Sequence, residues 1–470
     1  MSQKNPPIPQ PRFKLPFIGH YLYLKKDILK GLQDLSSTLG PICQLTLGTN
    51  KIILVSSFEL IKEVCDESRF EKHIGPFMKF LRDQLFREAL AFFDTQDPLW
   101  GKFFRIILPG FQQKVIQEEY FPRILETMEK LFNKWDNTLE SEINLNDEMS
   151  HTILDIIGLC GFNYHFNSIF AESPLMKTLD ETVALLAKKA WMPEFLAKLQ
   201  FQTNKECEEK VSLIFKYVDE ILKERKQANP AHKDLLYYML NTVDKVTGEK
   251  LNDNNIRNQI LSLIVASHES TLNALLLSFC ALLTYPTILE KAYAEVDNVL
   301  GTDPRQPQKP QCFYKLQYIQ QIVYECLRCW PSSFFERSPL KDTVLGGYPI
   351  KKAECIWVLV SAAHRDKRLW GEDADSFNPD RFAPELVANR DPRAFLGFGI
   401  GQRSCIGRQF AVFEISVILG IFLQKYRMHK SPRFKINMKQ NFNVIIDKTL
   451  WVTLEKRRQE KPKNEVLKEK

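Results

Sequence analysis

Apolar side chains recur at three- and four-residue spacing from Phe58 to about residue 230, the period of helices that each turn one face to a core. The same spacing returns from Asp253 to Tyr285, from Thr287 to Leu300 and from Lys315 to Cys329, where Pro331 stops it. Two-residue alternation is confined to short segments. Ile42 to Leu47 and Lys51 to Val55 read as a β-hairpin around Gly48-Thr49-Asn50, Thr343 to Val360 as short strands, and Lys439 to Leu454 as a closing hairpin. A last helical pattern opens at Cys405 and reaches about Tyr426. Between these elements lie a polar linker from Arg225 to Lys233 and a proline-marked loop from Phe377 to Pro384. The first ~25 residues read as an extended, proline-held leader. The expectation is a mainly α chain: one large helical domain with small β-sheets over residues 1–455, then a charged, disordered tail over 456–470.

The 470 residues are 44% hydrophobic and 26% charged, a globular balance with ample core. The net charge of +7 comes without a dense basic helix or basic-aromatic alternation, which argues against nucleic acid and for an acidic protein partner. Ten cysteines are scattered through periodic segments and no secretory leader precedes them, so a reduced, cytoplasmic setting is expected. Cys326 and Cys329 form a CxxC with no second pair or nearby histidine, and read as helix residues rather than zinc ligands. The most apolar stretch, Ile260 to Tyr285, is broken by Ser267-His268-Glu269-Ser270, so a soluble protein without a membrane anchor is expected.

One cysteine stands apart. Cys405 lies in Phe398-Gly399-Ile400-Gly401-Gln402-Arg403-Ser404-Cys405-Ile406-Gly407, with glycine-rich backbone before it and an apolar helix after it. Unpaired N–H groups at a helix N-terminus lower a thiol's pKa and favour the thiolate that binds metal. Gly399 and Gly401 permit positive φ and close backbone approach to a flat cofactor, and Arg403 supplies a fixed cation for a carboxylate. Against this stands the plain alternative of a structural cysteine beside a turn.

The ten-residue pattern resembles the heme-binding signature of the cytochrome P-450 family. The resemblance extends from about Pro11 to Glu455. It is similar in several stretches, among them Leu60 to Phe70, Leu154 to Ser168 and His364 to Gly371, to the soluble bacterial fatty-acid hydroxylases fused to a flavin reductase. It implies the cytochrome P-450 fold and a heme b whose axial ligand is the Cys405 thiolate, with Phe398, Arg403, Gly407 and Trp100 against the cofactor. Arg105 is a weaker candidate for a propionate, because Phe104 occupies the position four after Trp100. It implies that Glu325, Arg328 and Arg381 form a buried ionic triad behind the heme, where the i, i+3 pair alone would read as a surface salt bridge. It implies that Glu269 and Ser270, an acid and a hydroxyl on a helix crossing the heme, deliver protons during dioxygen activation. Serine stands at Ser270 where threonine is usual.

The implied activity is dioxygen-dependent hydroxylation of a hydrophobic substrate, with a fatty acid as the first candidate. The arginine and tyrosine that anchor a carboxylate in that subgroup align with Asn50 and Leu54, leaving Lys51 as the nearby cation, and the aromatic gate falls around Ala91 to Phe93. Electrons are expected from a reductase that is separate or absent from this chain, and a basic surface of Lys102, Arg105, Arg403 and Arg408 suggests an acidic flavodoxin or ferredoxin partner. A peroxide-using heme-thiolate enzyme and a non-catalytic heme protein remain as alternatives.

Overall fold

The structure is a computed structural model that describes residues 7–24, 27–137, 142–190, 201–228, 232–306, 308–440 and 443–457. Its principal elements, in chain order, begin with α1 (Ile28–Leu39), the hairpin β1 (Ile42–Leu47) and β2 (Asn50–Val55), and β3 (Phe70–Lys72). The helical body follows: α2 (Pro98–Ile107), α3 (Phe121–Asp136), the short β4 (Ile143–Asn144), α4 (Leu145–Ile157), α5 (Pro174–Ala190), α6 (Phe201–Gln227), α7 (Asp253–Thr284), α8 (Pro286–Leu300) and α9 (Gln317–Cys329). Then come β5 (Phe334–Pro339), β6 (Cys355–Leu359), α10 (Arg408–Lys425), β7 (Tyr426–Lys430), β8 (Met438–Gln440), β9 (Val444–Ile446) and β10 (Trp451–Lys456). The mainly α expectation holds, with small sheets at the margins.

Helix α7 is the axis of the body. Asn252 and Asn255 start it with reciprocal side-chain-to-backbone hydrogen bonds of 2.9 and 3.2 Å. It packs on α4, α9 and α10, and its flanks, from Ile256 to Ile264 and from Ala274 to Leu283, are almost wholly buried. It is the one described helix long and apolar enough to cross a membrane, and more than half of its most apolar window is buried in the core. Helix α10 is buried on every side from Val412 to Gln424, as an apolar helix without a polar face must be.

The five-stranded sheet runs β1-β2-β6-β5-β3, with β2 and β6 parallel and the other pairs antiparallel. Its central strand β6 is buried at every position, which its unbroken apolar run requires.

Four expectations need correction. The closing hairpin is two structures: β8 pairs with β9, whereas β10 joins β4 and β7 in a separate sheet. The tail does not begin at Lys456: that residue pairs with Tyr426, and Arg457 holds Asp297 through bonds of 2.8 and 2.6 Å. Residues 458–470 lie outside the described residues. Arg225 is not a linker residue but the buried end of α6, ion-paired with Asp234 at 2.8 Å. The leader is not extended throughout: Leu15 and Gly19 close a turn and Tyr21–Tyr23 form a short 3₁₀ helix, while Gln44 N–H donates to the Pro9 carbonyl at 2.8 Å and His20 N–H to the Thr46 carbonyl at 2.7 Å.

Candidate cofactor and active site

Of the ten cysteines, all free, Cys405 alone is exposed. Its loop is built backwards from the helix. The Cys405 N–H donates to the Phe398 carbonyl at 2.8 Å and the Ser404 N–H to the Gly401 carbonyl at 3.0 Å. Those closures demand left-handed backbone at Gly399 (φ 68°) and Gly401 (φ 75°), and a side chain on Gly401 would strike the Glu67 carboxylate. Helix α10 starts at Arg408, three residues past the cysteine rather than at it. The thiol pKa is raised, against expectation: the surrounding protein mass pushes it up, and the Gly407 N–H and the Arg408 charge only partly offset this. Phe398 sits under the Arg408 guanidinium, 5.3 Å from the ring centre.

Arg403 and Trp100 meet, with the guanidinium 4.7 Å over the indole ring. Arg403 also donates to the Phe93 carbonyl at 2.8 Å. Two further cations share this region and were not found from the sequence. Lys72 donates to the Ala91 carbonyl at 2.7 Å, and Arg337 reaches the Ile400 carbonyl at 3.4 Å. Burial lowers Lys72 to about 7 and Arg403 to about 10, and the neighbouring cations add to both shifts. Asp94 acts on both cations, Glu336 on Lys72 and Glu71 on Arg403, yet both shifts stay downward, and the propionates of a heme would add anions here. Together with an accessible thiol and a loop stripped of side chains at its turns, the residues present fit the group.

Arg105 goes elsewhere. It grips Asp244 with bonds of 2.6 and 2.9 Å, which hold that carboxyl far below its usual range. A one-residue step turns a helical side chain by ~100°, and Phe104 takes the place stacked on Trp100. Lys102 is buried and bound to Glu249. Arg403 points inward, so of the expected basic surface only Arg408 is an exposed cation free of a carboxylate partner in the described structure.

Behind the loop, Arg328 and Glu325 are fully buried and bidentate at 2.7 and 2.8 Å. Arg328 also donates to the carbonyls of His364, Ala374 and Ser376. Asn378 N–H gives Glu325 a further bond at 2.7 Å, and Arg381 Nε lies 3.6 Å from the same carboxylate while its Nη2 holds Asp373. The structure thus brings the three residues together. It adds His364, whose Nδ1 faces the Arg328 carbonyl at 3.1 Å and whose Nε2 accepts from Leu396 N–H at 2.8 Å. Burial lowers His364 to about 3, which keeps it neutral, and the Leu396 N–H requires Nε2 to accept, so Nδ1 carries the proton and donates to the Arg328 carbonyl.

On α7, Ala266, Glu269 and Ser270 are accessible amid a buried helix, at the spacing of one face. His268 is not part of it: the ring is buried against Ser150. Ser270 Oγ donates to the Ala266 carbonyl at 2.7 Å. Ser332 Oγ donates to Asn443 Oδ1 at 2.7 Å, and Asn443 Nδ2 donates to Glu269 Oε1 at 3.4 Å. Leu54 is buried beside β1 and β6, and Asn50 and Lys51 are exposed at the hairpin end.

Known proteins resemble the chain over nearly its whole length. A family model described as Cytochrome P450 matches residues 8–453. A bifunctional cytochrome P450/NADPH–P450 reductase of Bacillus cereus is 37% identical over 94% of the chain, and reductase 1 of Bacillus subtilis is 36% identical over 94%. A self-sufficient cytochrome P450 monooxygenase of Phanerodontia chrysosporium is 31% identical over 93%. The chain spans 42% of the length of each of these relatives.

Proposed function

The chain belongs to the cytochrome P450 family, and from this premise we propose that it is a heme-thiolate monooxygenase that hydroxylates a hydrophobic substrate, with a fatty acid as the preferred class. The observation that carries the reading is Cys405, the one exposed thiol, fixed between a double-glycine loop and a helix start.

When bound, heme supplies dioxygen activation and the oxidising power, with the cysteine sulfur favouring O–O cleavage. The chain's own residues do the rest. Cys405 gives up its proton and offers sulfur, and the Gly407 N–H bonds that sulfur and tempers its donation. Arg403, Trp100 and Lys72 orient the cofactor by its carboxylates. Glu269 and Ser270 stand on the accessible face of α7 to relay protons; to donate into the site, Ser270 Oγ must release the Ala266 carbonyl. Glu325, Arg328 and Arg381 keep the loop rigid from behind. One oxygen atom enters a substrate C–H bond and the other leaves as water, consuming two electrons and two protons. Electrons come from a flavin or iron–sulfur donor. The relatives whose names include a reductase support such a donor.

The test is turnover under ¹⁸O₂ with a flavodoxin, its NADPH reductase and a series of fatty acids. A product carrying one labelled oxygen, abolished in Cys405→Ala, supports the reading. Unlabelled product, or full activity in the variant, contradicts it.

A further inference from the structure

Four large hydrophobic side chains lie exposed within one short stretch ahead of α1: Phe13 (58% exposed), Phe17 (78%), Leu22 (47%) and Tyr23 (38%). The stretch is not loose. Leu15 and Gly19 exchange backbone hydrogen bonds at 3.0 Å, closing a tight turn with Phe17 near its tip. Phe17 has φ 64°, a left-handed conformation that aromatic residues rarely adopt. The base of the turn is locked to the hairpin: Gly19 bridges Leu47, and a side chain on Gly19 would strike the Thr46 carbonyl. A ring held outward on a strained, anchored turn exists at a cost, and such strain concentrates at functional positions.

The charged side chains within the segment have one sign, and the first carboxylate after it is Asp27, the cap of α1. Arg12 and Lys14 alternate with the aromatic residues and are exposed, as is Lys51 at the neighbouring hairpin end. No acidic residue occurs from 7 to 24, and Lys25 and Lys26 follow in sequence. A narrow protruding tip offers little area for a stable protein–protein interface. It suits a soft layer, with aromatic rings at headgroup level and basic side chains among phosphates.

We propose that the Phe13–Tyr23 segment docks this protein reversibly on an anionic lipid surface. The docking is peripheral, carried by a few rings and cations, and it stands independently of the oxygenase reading.

The experiment is flotation of the full chain with vesicles of phosphatidylcholine, alone or mixed with phosphatidylglycerol. The wild type is expected to float with the mixed vesicles, less as salt is raised. Phe13→Ser with Phe17→Ser should reduce binding at least about tenfold, as should Arg12→Ser with Lys14→Ser, with unchanged thermal melting showing that both variants fold. The proposal is overturned if the wild type stays with the soluble fraction, if it floats equally with phosphatidylcholine alone, or if the double phenylalanine variant floats as well as the wild type. Sedimentation showing a wild-type dimer that the phenylalanine variant dissolves would instead assign the patch to self-association and also overturn it.

Discussion

A carboxyl buried without a cation stays protonated long after its exposed counterparts ionise, and Glu414 is such a group. It is fully buried on α10, Oε1 has no hydrogen-bond partner, and burial raises it to about 8 from an ordinary 4.5. Between those values the unfolded chain has lost a proton that the folded chain keeps. Stability from this group is therefore full below pH 4.5 and declines by about 1.4 kcal/mol per unit until the pH passes about 8. Glu414→Gln should flatten that slope, measured as melting temperature from pH 5 to 9. At the candidate site, Glu269→Gln should cut turnover on the order of 10²-fold and divert dioxygen to peroxide, read by product formed per dioxygen consumed. Arg403→Ala should weaken heme retention, measured by transfer to apomyoglobin, whereas Arg105→Ala should leave it unchanged because Asp244 is the partner. Cys405, Arg403 and Trp100 were legible in the sequence because a local motif or a bulky side chain marks each of them. Lys72, Arg337 and Asn443 were not, because each reaches its partner from a distant element and no spacing announces it.

At the scale of elements, α9 and the segment around His364 back the cysteine loop: Tyr324 of α9 meets Phe398 edge to face, and His364 Nε2 accepts from Leu396 N–H. Arg328 alone ties α9 to three carbonyls and to Glu325. Arg328→Ala strands a buried carboxylate at a cost of ~3–5 kcal/mol, to be read as a lowered urea midpoint or loss of soluble protein, and Arg328→Lys should not restore the fork. Helices such as α7, with its asparagine cap, and α9, stopped by Pro331, were legible to within a few residues. The C-terminal strands were not: alternation locates β8, β9 and β10 but cannot say that β10 pairs with β4, more than 300 residues earlier, instead of with its neighbour. The pairing of Arg225 with Asp234, only nine residues on, was hidden for another reason: a polar, charged run reads as a linker whether or not its charges pair.

For the whole molecule, a buried axial helix with one accessible polar patch, an exposed thiol and a buried cation cluster describe a protein built around a flat, dianionic cofactor. Charge counting suggested a basic docking face; the folded chain spends Lys102 and Arg105 on internal ion pairs. The central claim is that Cys405 sulfur is the axial ligand. It is tested by the absorption spectrum of the heme-loaded protein, reduced with dithionite under carbon monoxide. A strongly red-shifted Soret band that disappears in Cys405→Ala is the predicted result; a band at the position of histidine-ligated heme, or one indifferent to the substitution, would contradict it.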